Sequence, residues 1–269
     1  MSSELEAKRQ PSAASKVRIT DRDLKILRAL FDATVMSFEQ LRLECFANLA
    51  RVTAYNRVNE LVVAGLIETL RVGNIVYQQN PRMIGNIYRT SRSGIKLLQS
   101  RFGVEQIKRV DPFPWNTGQL AHDLILNDLG RAIHSAATGW RFTNGKHFAN
   151  SLTDERRMPD ALLQSPRSRE CVAVELELTV KSEKRYREIL LAYKLSPRTS
   201  RVLYVSSDPG VLRKVQSVLT GGKILGGKLE RSIGKFHFVA VTELMEPHGR
   251  ELILSLVPKL ESNTQEVRA

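Results

Sequence analysis

The run Cys171-Val-Ala-Val-Glu-Leu-Glu-Leu-Thr179 constrains the fold of this chain more than any other stretch. Val172, Val174, Leu176 and Leu178 alternate with Ala173, Glu175, Glu177 and Thr179, which is the period of a β-strand. Alternation sets Glu175 and Glu177 on one face, where two like charges repel. A chain tolerates such a pair where a cation, a basic partner or open water meets it. Met158-Pro159-Asp160 lies upstream. If Asp160 borders the neighbouring strand, three carboxylates converge. Carboxylates, water and phosphate oxygens are the ligands Mg²⁺ takes, and such sites serve metal-assisted hydrolysis.

Around that strand the second half alternates elements. Leu120 to Ala136 reads as a helix, with Leu120, Leu124, Leu126, Leu129 and Ile133 apolar and Asp123 and Asp128 polar. Trp140 opens a β-rich stretch toward Asp160. Ser182 starts a basic amphipathic helix through about Tyr193, carrying Lys184, Arg185 and Arg187 beside apolar Tyr186, Ile189, Leu190 and Tyr193. Arg201 to Ser206 is a strand. Asp208 or Pro209 opens a helix to Leu219. Phe236 to Val241 is a strand, and Leu252 to Leu256 adds a short one.

The first half has a different grammar. Thr20 or Asp21 caps a helix with Leu24, Ile26, Leu27, Leu30 and Phe31 behind it. Ser37 caps a second, with Phe38, Leu41 and Leu43 apolar. A third runs from about Val52 to Ala64, with Val58, Leu61 and Val62 inward, and Gly65 stops it. Leu66 to Tyr77 reads as two strands around a Gly73-Asn74 turn. Ile87-Tyr88-Arg89 is a further strand, before a helix opened by Thr90 or Ser91.

Three helices followed by a hairpin is winged-helix order. Thr20-x-x-Asp23 before Ile26-Leu27-x-x-Leu30, and then Ala54-Tyr-Asn-Arg-Val-Asn-Glu-Leu-Val-Val-Ala-Gly-Leu-Ile67, resemble bacterial winged-helix proteins. In that family the third helix enters the major groove and the wing meets the backbone. The resemblance implies that Arg51, Thr53, Asn56, Arg57 and Asn59 lie on or near the reading helix. It implies that Arg71, Arg82, Arg89 and Arg92 lie on or near the wing. Arg and Asn suit purine edges and phosphates.

In the second half, Pro159-Asp160 followed by Glu175-x-Glu177 resembles the restriction-endonuclease-like fold, whose signature is Pro-Asp and then Asp/Glu-x-Lys. Asp160 and Glu175 match the two acids, and Glu177 stands where the lysine belongs. The resemblance implies Asp160, Glu175 and Glu177 as catalytic residues, Lys181 or Lys184 as a migrated positive charge, and Mg²⁺ held by Asp160 and Glu175. A plain alternative is a solvated face in which Glu175 and Glu177 pair with Lys181, Lys184 or Arg185. A narrower resemblance spans both halves. The winged-helix order, Leu120-x-His122-Asp123-Leu124-x-Leu126-Asn127, Pro159-Asp160, the Glu175/Glu177 strand, and Lys181, Tyr186, Ile189 and Tyr193 are similar to the replication-relaxation family of bacterial mobile elements. That family is associated with plasmid replication or mobilisation. Its acidic pair also lacks the lysine, so activity as an enzyme stays open.

Charge points the same way. Lys and Arg outnumber Asp and Glu by 41 to 28, a net +13, which favours a polyanionic partner, most simply double-stranded DNA. Only two cysteines occur, Cys45 and Cys171, each in an apolar pattern, reading as buried small hydrophobes and not as a disulfide or zinc site. The five histidines lack zinc spacing. Gly222 to Lys228 has P-loop spacing, but Leu229 replaces the Ser/Thr and a helix precedes it. No apolar run reaches the ~20 residues of a membrane span, and no signal core precedes the first helix, so the expected location is cytoplasmic.

The expected architecture is α/β (α+β): a tail at 1–16, a winged-helix domain at 17–105 and a linker at 106–118 through Asp111-Pro-Phe-Pro-Trp115. A restriction-endonuclease-like mixed-sheet domain follows at 119–258, with a tail at 259–269. The expected function is duplex-DNA binding for a mobile element, as regulator or accessory factor in replication or mobilisation. Replication or mobilisation proteins and a homodimer mate are further candidate partners. The alternatives are a metal-dependent endonuclease and a protein-interaction adaptor. No cofactor is implied unless cleavage occurs, when it is Mg²⁺.

Overall fold

A computed structural model describes residues 17–77, 80–109, 111–136, 139–148, 158–164, 171–196, 199–220, 235–245 and 251. The protein is mixed α/β with two sheets. It divides into two compact units, Met1–Phe31 with Met36–Arg71 and Asn86–Pro114, and Asp32–Val35 with Val72–Gly85 and Trp115–Ala269. No described helix is long and apolar enough to cross a membrane.

Short polar residues set the helix starts in the first unit. Helix α1 (Asp21–Ala33) opens on a reciprocal cap: the Thr20 amide donates to Asp23 Oδ2 at 2.7 Å, and the Asp23 amide to Thr20 Oγ1 at 3.4 Å. Strand β1 (Met36–Ser37) leads into α2 (Phe38–Cys45), where Ser37 and Gln40 form the same box. Helix α3 (Arg51–Val63) has no side-chain cap at its start. It ends in the paired bonds of a Schellman motif, Leu66 amide to Leu61 carbonyl and Gly65 amide to Val62 carbonyl, with Gly65 at φ +72°. Leu27, Leu30, Leu41, Val58 and Leu61 are fully buried and make the core. Leu43 faces outward, and α2 buries Phe38 and Leu41 together with Gln40 of the cap.

The hairpin differs from the sequence expectation. Strand β2 (Ile67–Tyr77) runs straight through Gly73-Asn74, and β3 (Asn80–Thr90) returns. A two-residue hairpin turn of type I′ or II′ needs positive φ at its first central residue, which a Gly-Asn pair would place on the glycine. Gly73 is not at positive φ, so neither turn forms there and the chain stays extended. The expected turn at Gly73-Asn74 is therefore not there. The sheet order is β1-β3-β2, with Met36 opposite Tyr88 and Ser37 opposite Ile87. Ser91 caps α4 (Arg92–Phe102) through the Gly94 amide, and its hydroxyl donates to the Gly65 carbonyl at 2.6 Å.

The last of the passages between the units falls between Pro114 and Trp115, inside a proline-bearing stretch where helix is disfavoured. The second unit is a five-stranded sheet in the order β4 (Arg141–Asn144), β5 (Ala161–Gln164), β6 (Cys171–Leu176), β7 (Thr199–Ser206), β8 (Phe236–Ala240). β4, β5 and β6 pair antiparallel, while β6, β7 and β8 run parallel. Both faces of β6 are buried, as a central strand between helical layers requires. On one side Cys171 and Ala173 join Tyr186, Ile189, Leu190 and Tyr193 of α6 (Glu183–Leu195), and Val211 and Val215 of α7 (Pro209–Thr220). Burying each of these large side chains stabilises the fold by about 1.5–3 kcal/mol. Helix α5 (Leu120–Ala136) packs on β4 and on α8 (Val241–Met245). Its Gly130 sits so close to the Phe142 ring that a Cβ would lie 2.7 Å from it.

Cys45 and Cys171 are free thiols. Burial pushes the Cys45 thiol up to about 12. The expected strand at Leu252 to Leu256, the Gly222 to Lys228 stretch and the two tails lie outside the described residues.

Candidate functional site

Two sets of residues carry chemistry, one on each unit. In the first unit, Ala54, Val58 and Leu61 turn α3 toward the core. The opposite face is then fixed by the 3.6-residue period. Val52 is 68 % exposed and Thr53 and Asn56 are exposed, while Asn59 is half-buried. Arg51 flanks this face, its guanidinium paired with Glu39 and lying 5.3 Å from the Phe38 ring centroid.

Arg57 lies on α3 as expected, but its side chain turns toward α1. Its Nε donates to Asp23 Oδ1 at 2.7 Å, and a terminal nitrogen donates to the Arg18 carbonyl at 3.0 Å. Asp23 is fully buried. Burial alone raises an acid, but hydrogen bonds from Arg57 and Thr20 outweigh it and hold the Asp23 carboxyl below its ordinary value. Arg57 also pairs with Glu60. Its guanidinium ties α3 to α1, a role that sequence spacing does not reveal because 34 residues separate the partners.

The arginines expected at the wing separate. Arg71 is exposed. Arg89 is an internal residue: Nε reaches Glu68 Oε2 at 2.8 Å, and a terminal nitrogen donates to the Phe113 carbonyl. Arg92 is exposed and pairs with Asp111 at 2.9 Å. The Arg82 side chain lies outside the described residues.

In the second unit, strand β6 carries Glu175, and Glu177 follows it, its amide donating to the Val205 carbonyl at 2.8 Å. Both residues are 3 % exposed. The Tyr193 hydroxyl of α6 donates to Glu175 Oε1. Lys181 Nζ meets Glu177 Oε2 at 2.5 Å, and the Lys181 amide donates to the Tyr186 hydroxyl at 2.9 Å. The Tyr186 hydroxyl is pushed up, first by burial and also by Glu177. The pair is thus on one face, as alternation requires, and that face is covered by α6. Lys184 and Arg185 are exposed, and Arg185 pairs with Glu188 instead.

Asp160 stands just before β5. Its Oδ2 accepts the Leu176 amide at 2.8 Å, so it grips the end of β6 beside Glu175. His122 of α5 lies between two carboxylates, with Nε2 3.3 Å from Asp160 and Nδ1 3.6 Å from Asp123. Burial disfavours its charge, but the two aspartates outweigh that and lift the imidazole to about 9. Lys146 closes the set at 2.6 Å from Asp123. Sequence reading missed Lys146, Tyr186 and Tyr193 as partners. A recoverable signal was two tyrosines seven residues apart on the apolar side of the helix that follows a Glu-x-Glu strand.

The oxygens of Asp160, Glu175 and Glu177 are chemically suited to Mg²⁺. Among the described residues no three His, Cys, Asp or Glu side chains are grouped to hold a metal ion. The carboxylates bind hydroxyl, ammonium, amide and imidazole groups of the protein itself. Set against protein-family models, curated proteins and solved structures, the chain matches none.

Proposed function

We propose that the protein binds duplex DNA in a sequence-directed way, with α1 to α3 and the hairpin acting as a winged helix and α3 entering the major groove. The observation that carries this reading is the outward face of α3, where Thr53 and Asn56 are exposed and Arg51 stands at its edge. A major groove about 12 Å wide admits a helix presenting such side chains. The net charge of +13 supports a polyanionic partner. The order and directions of the five-stranded sheet support a restriction-endonuclease-like second unit. Its internally bonded carboxylates favour binding without cleavage over the metal-dependent endonuclease. The resemblance to replication-relaxation proteins extends the reading to a regulator or accessory factor in mobile-element replication or mobilisation.

The test is duplex binding titrated with salt. The expected result is an affinity that falls linearly on a log–log plot against salt. Arg51→Glu should weaken it at every sequence. Failure to bind any duplex at low salt would turn the reading to a protein-interaction adaptor.

A further inference from the structure

The side chains on the outward face of α3 restrict which bases that face can read. Val52, Asn56, Asn59 and Val63 follow one another at i, i+4, i+7 and i+11, so they form a single stripe along the helix. Thr53 lies beside it. Val52 is 68 % and Val63 69 % exposed, although nothing about an isolated valine favours water. The stripe contains no charge.

The cations of α3 stand off this stripe. Arg57 is drawn to the buried Asp23 and to Glu60, which also occupies the Glu60 carboxylate. Arg51 lies at the edge, paired with Glu39 and set over Phe38.

We infer that the α3 stripe selects A·T base pairs, with Asn56 as the main specificity-determining residue. The inference rests on the reading of α3 as a groove-entering helix. A carboxamide matches the N6 donor and N7 acceptor of adenine in a bidentate pair. The methyls of Val52 and Thr53 match the thymine C5 methyl, which only the major groove displays. Guanine is read chiefly by Arg or Lys, and the arginines of α3 stand off the stripe. Residues in the first turns of a recognition helix make the base contacts, which puts Val52, Thr53 and Asn56 ahead of Val63.

The experiment is selection of bound duplexes from a pool with a randomised core, with the total DNA retained measured in the same assay. The expected outcome is enrichment of A·T pairs in the core. Asn56→Ala should lose discrimination at one position by on the order of tenfold, and Asn56→Arg should shift that position toward guanine. Asn56 is exposed, so both variants are expected to fold, and a melting curve checks it. Retained DNA with no enrichment, or with a G·C core, would overturn the inference while leaving DNA binding intact. No retained DNA from the wild-type chain would overturn both.

Discussion

Arg57 and Asp23 form a two-point ion pair across the first unit: Nε reaches Oδ1 at 2.7 Å and a terminal nitrogen reaches Oδ2 at 2.5 Å. Asp23 is fully buried and also holds the start of α1 through Thr20. Removing one partner of such a pair strands the other, which costs about 3–5 kcal/mol. Arg57→Ala is therefore expected to lower unfolding stability by that order, whereas Arg51→Ala, on an exposed pair, should change it by less than about 1 kcal/mol. Denaturant unfolding of the two variants checks this. The Asp23 carboxyl sits below its unfolded value of about 3.9. Its contribution is thus fully present above that value and lost as pH falls through the lower folded one.

His122 gives the opposite sign. Its folded value of about 9 lies above the ordinary 6.5, because Asp160 and Asp123 flank the ring. The protonated imidazole therefore stabilises the second unit fully below about pH 6.5. That contribution fades as pH rises through about 9. Unfolding measured from pH 6 to 10 should show this decline in the wild type, and His122→Asn should flatten it. A wild-type profile unchanged by His122→Asn would remove the ring from this role.

These two pairs mark where sequence reading stops. Local signals were sound: Thr20, Ser37, Ser91 and Ser182 each precede a helix and each accepts a backbone amide in its first turn. The alternation from Cys171 correctly set Glu175 and Glu177 on one face. Those rules act within a turn of helix or a few residues of strand. Arg57 finds Asp23 34 residues away, and Tyr193 finds Glu175 18 residues away. Tyr186 and Tyr193 look apolar to a periodicity argument, because only the hydroxyl at the end of each ring is polar. Gly73-Asn74 is a turn signal that a strand can also carry: with Gly73 not at positive φ, β2 runs straight through it.

The Tyr193–Glu175 bond separates a structural carboxylate from a cation ligand. Tyr193→Phe deletes one donor to the carboxylate of a residue that is 3 % exposed. A hydrogen bond to a charged group contributes about 1.5–3 kcal/mol, so the variant should unfold more easily by that amount, and Glu175→Gln should lose less. Supercoiled plasmid incubated with Mg²⁺ or Mn²⁺ is expected to stay intact with the wild type and with Asp160→Ala/Glu175→Ala alike. Metal-dependent nicking that disappears in the double variant would establish the endonuclease instead.

Among the described glycines of the second unit, Gly145 has the tightest backbone contact. A Cβ there would lie 1.9 Å from the Pro159 carbonyl oxygen and 3.0 Å from that of Asp160. Neither atom can rotate away as a side chain would. The Gly145 amide also donates to the Asp160 carbonyl at 2.8 Å, so the loop after β4 and the segment before β5 are locked together. Gly145→Ala must push Pro159 and Asp160 outward. That shift would carry the Asp160 carboxylate away from the Leu176 amide and from His122 at once. The expected loss is on the order of 1–3 kcal/mol, as for other overpacked sites. The high-pH decline assigned to His122 should shrink in the same variant, because Asp160 helps raise the imidazole. Denaturation at pH 7 and 9.5 tests both together: a stability loss with the wild-type pH dependence intact would mean that Asp160 follows His122 rather than the backbone.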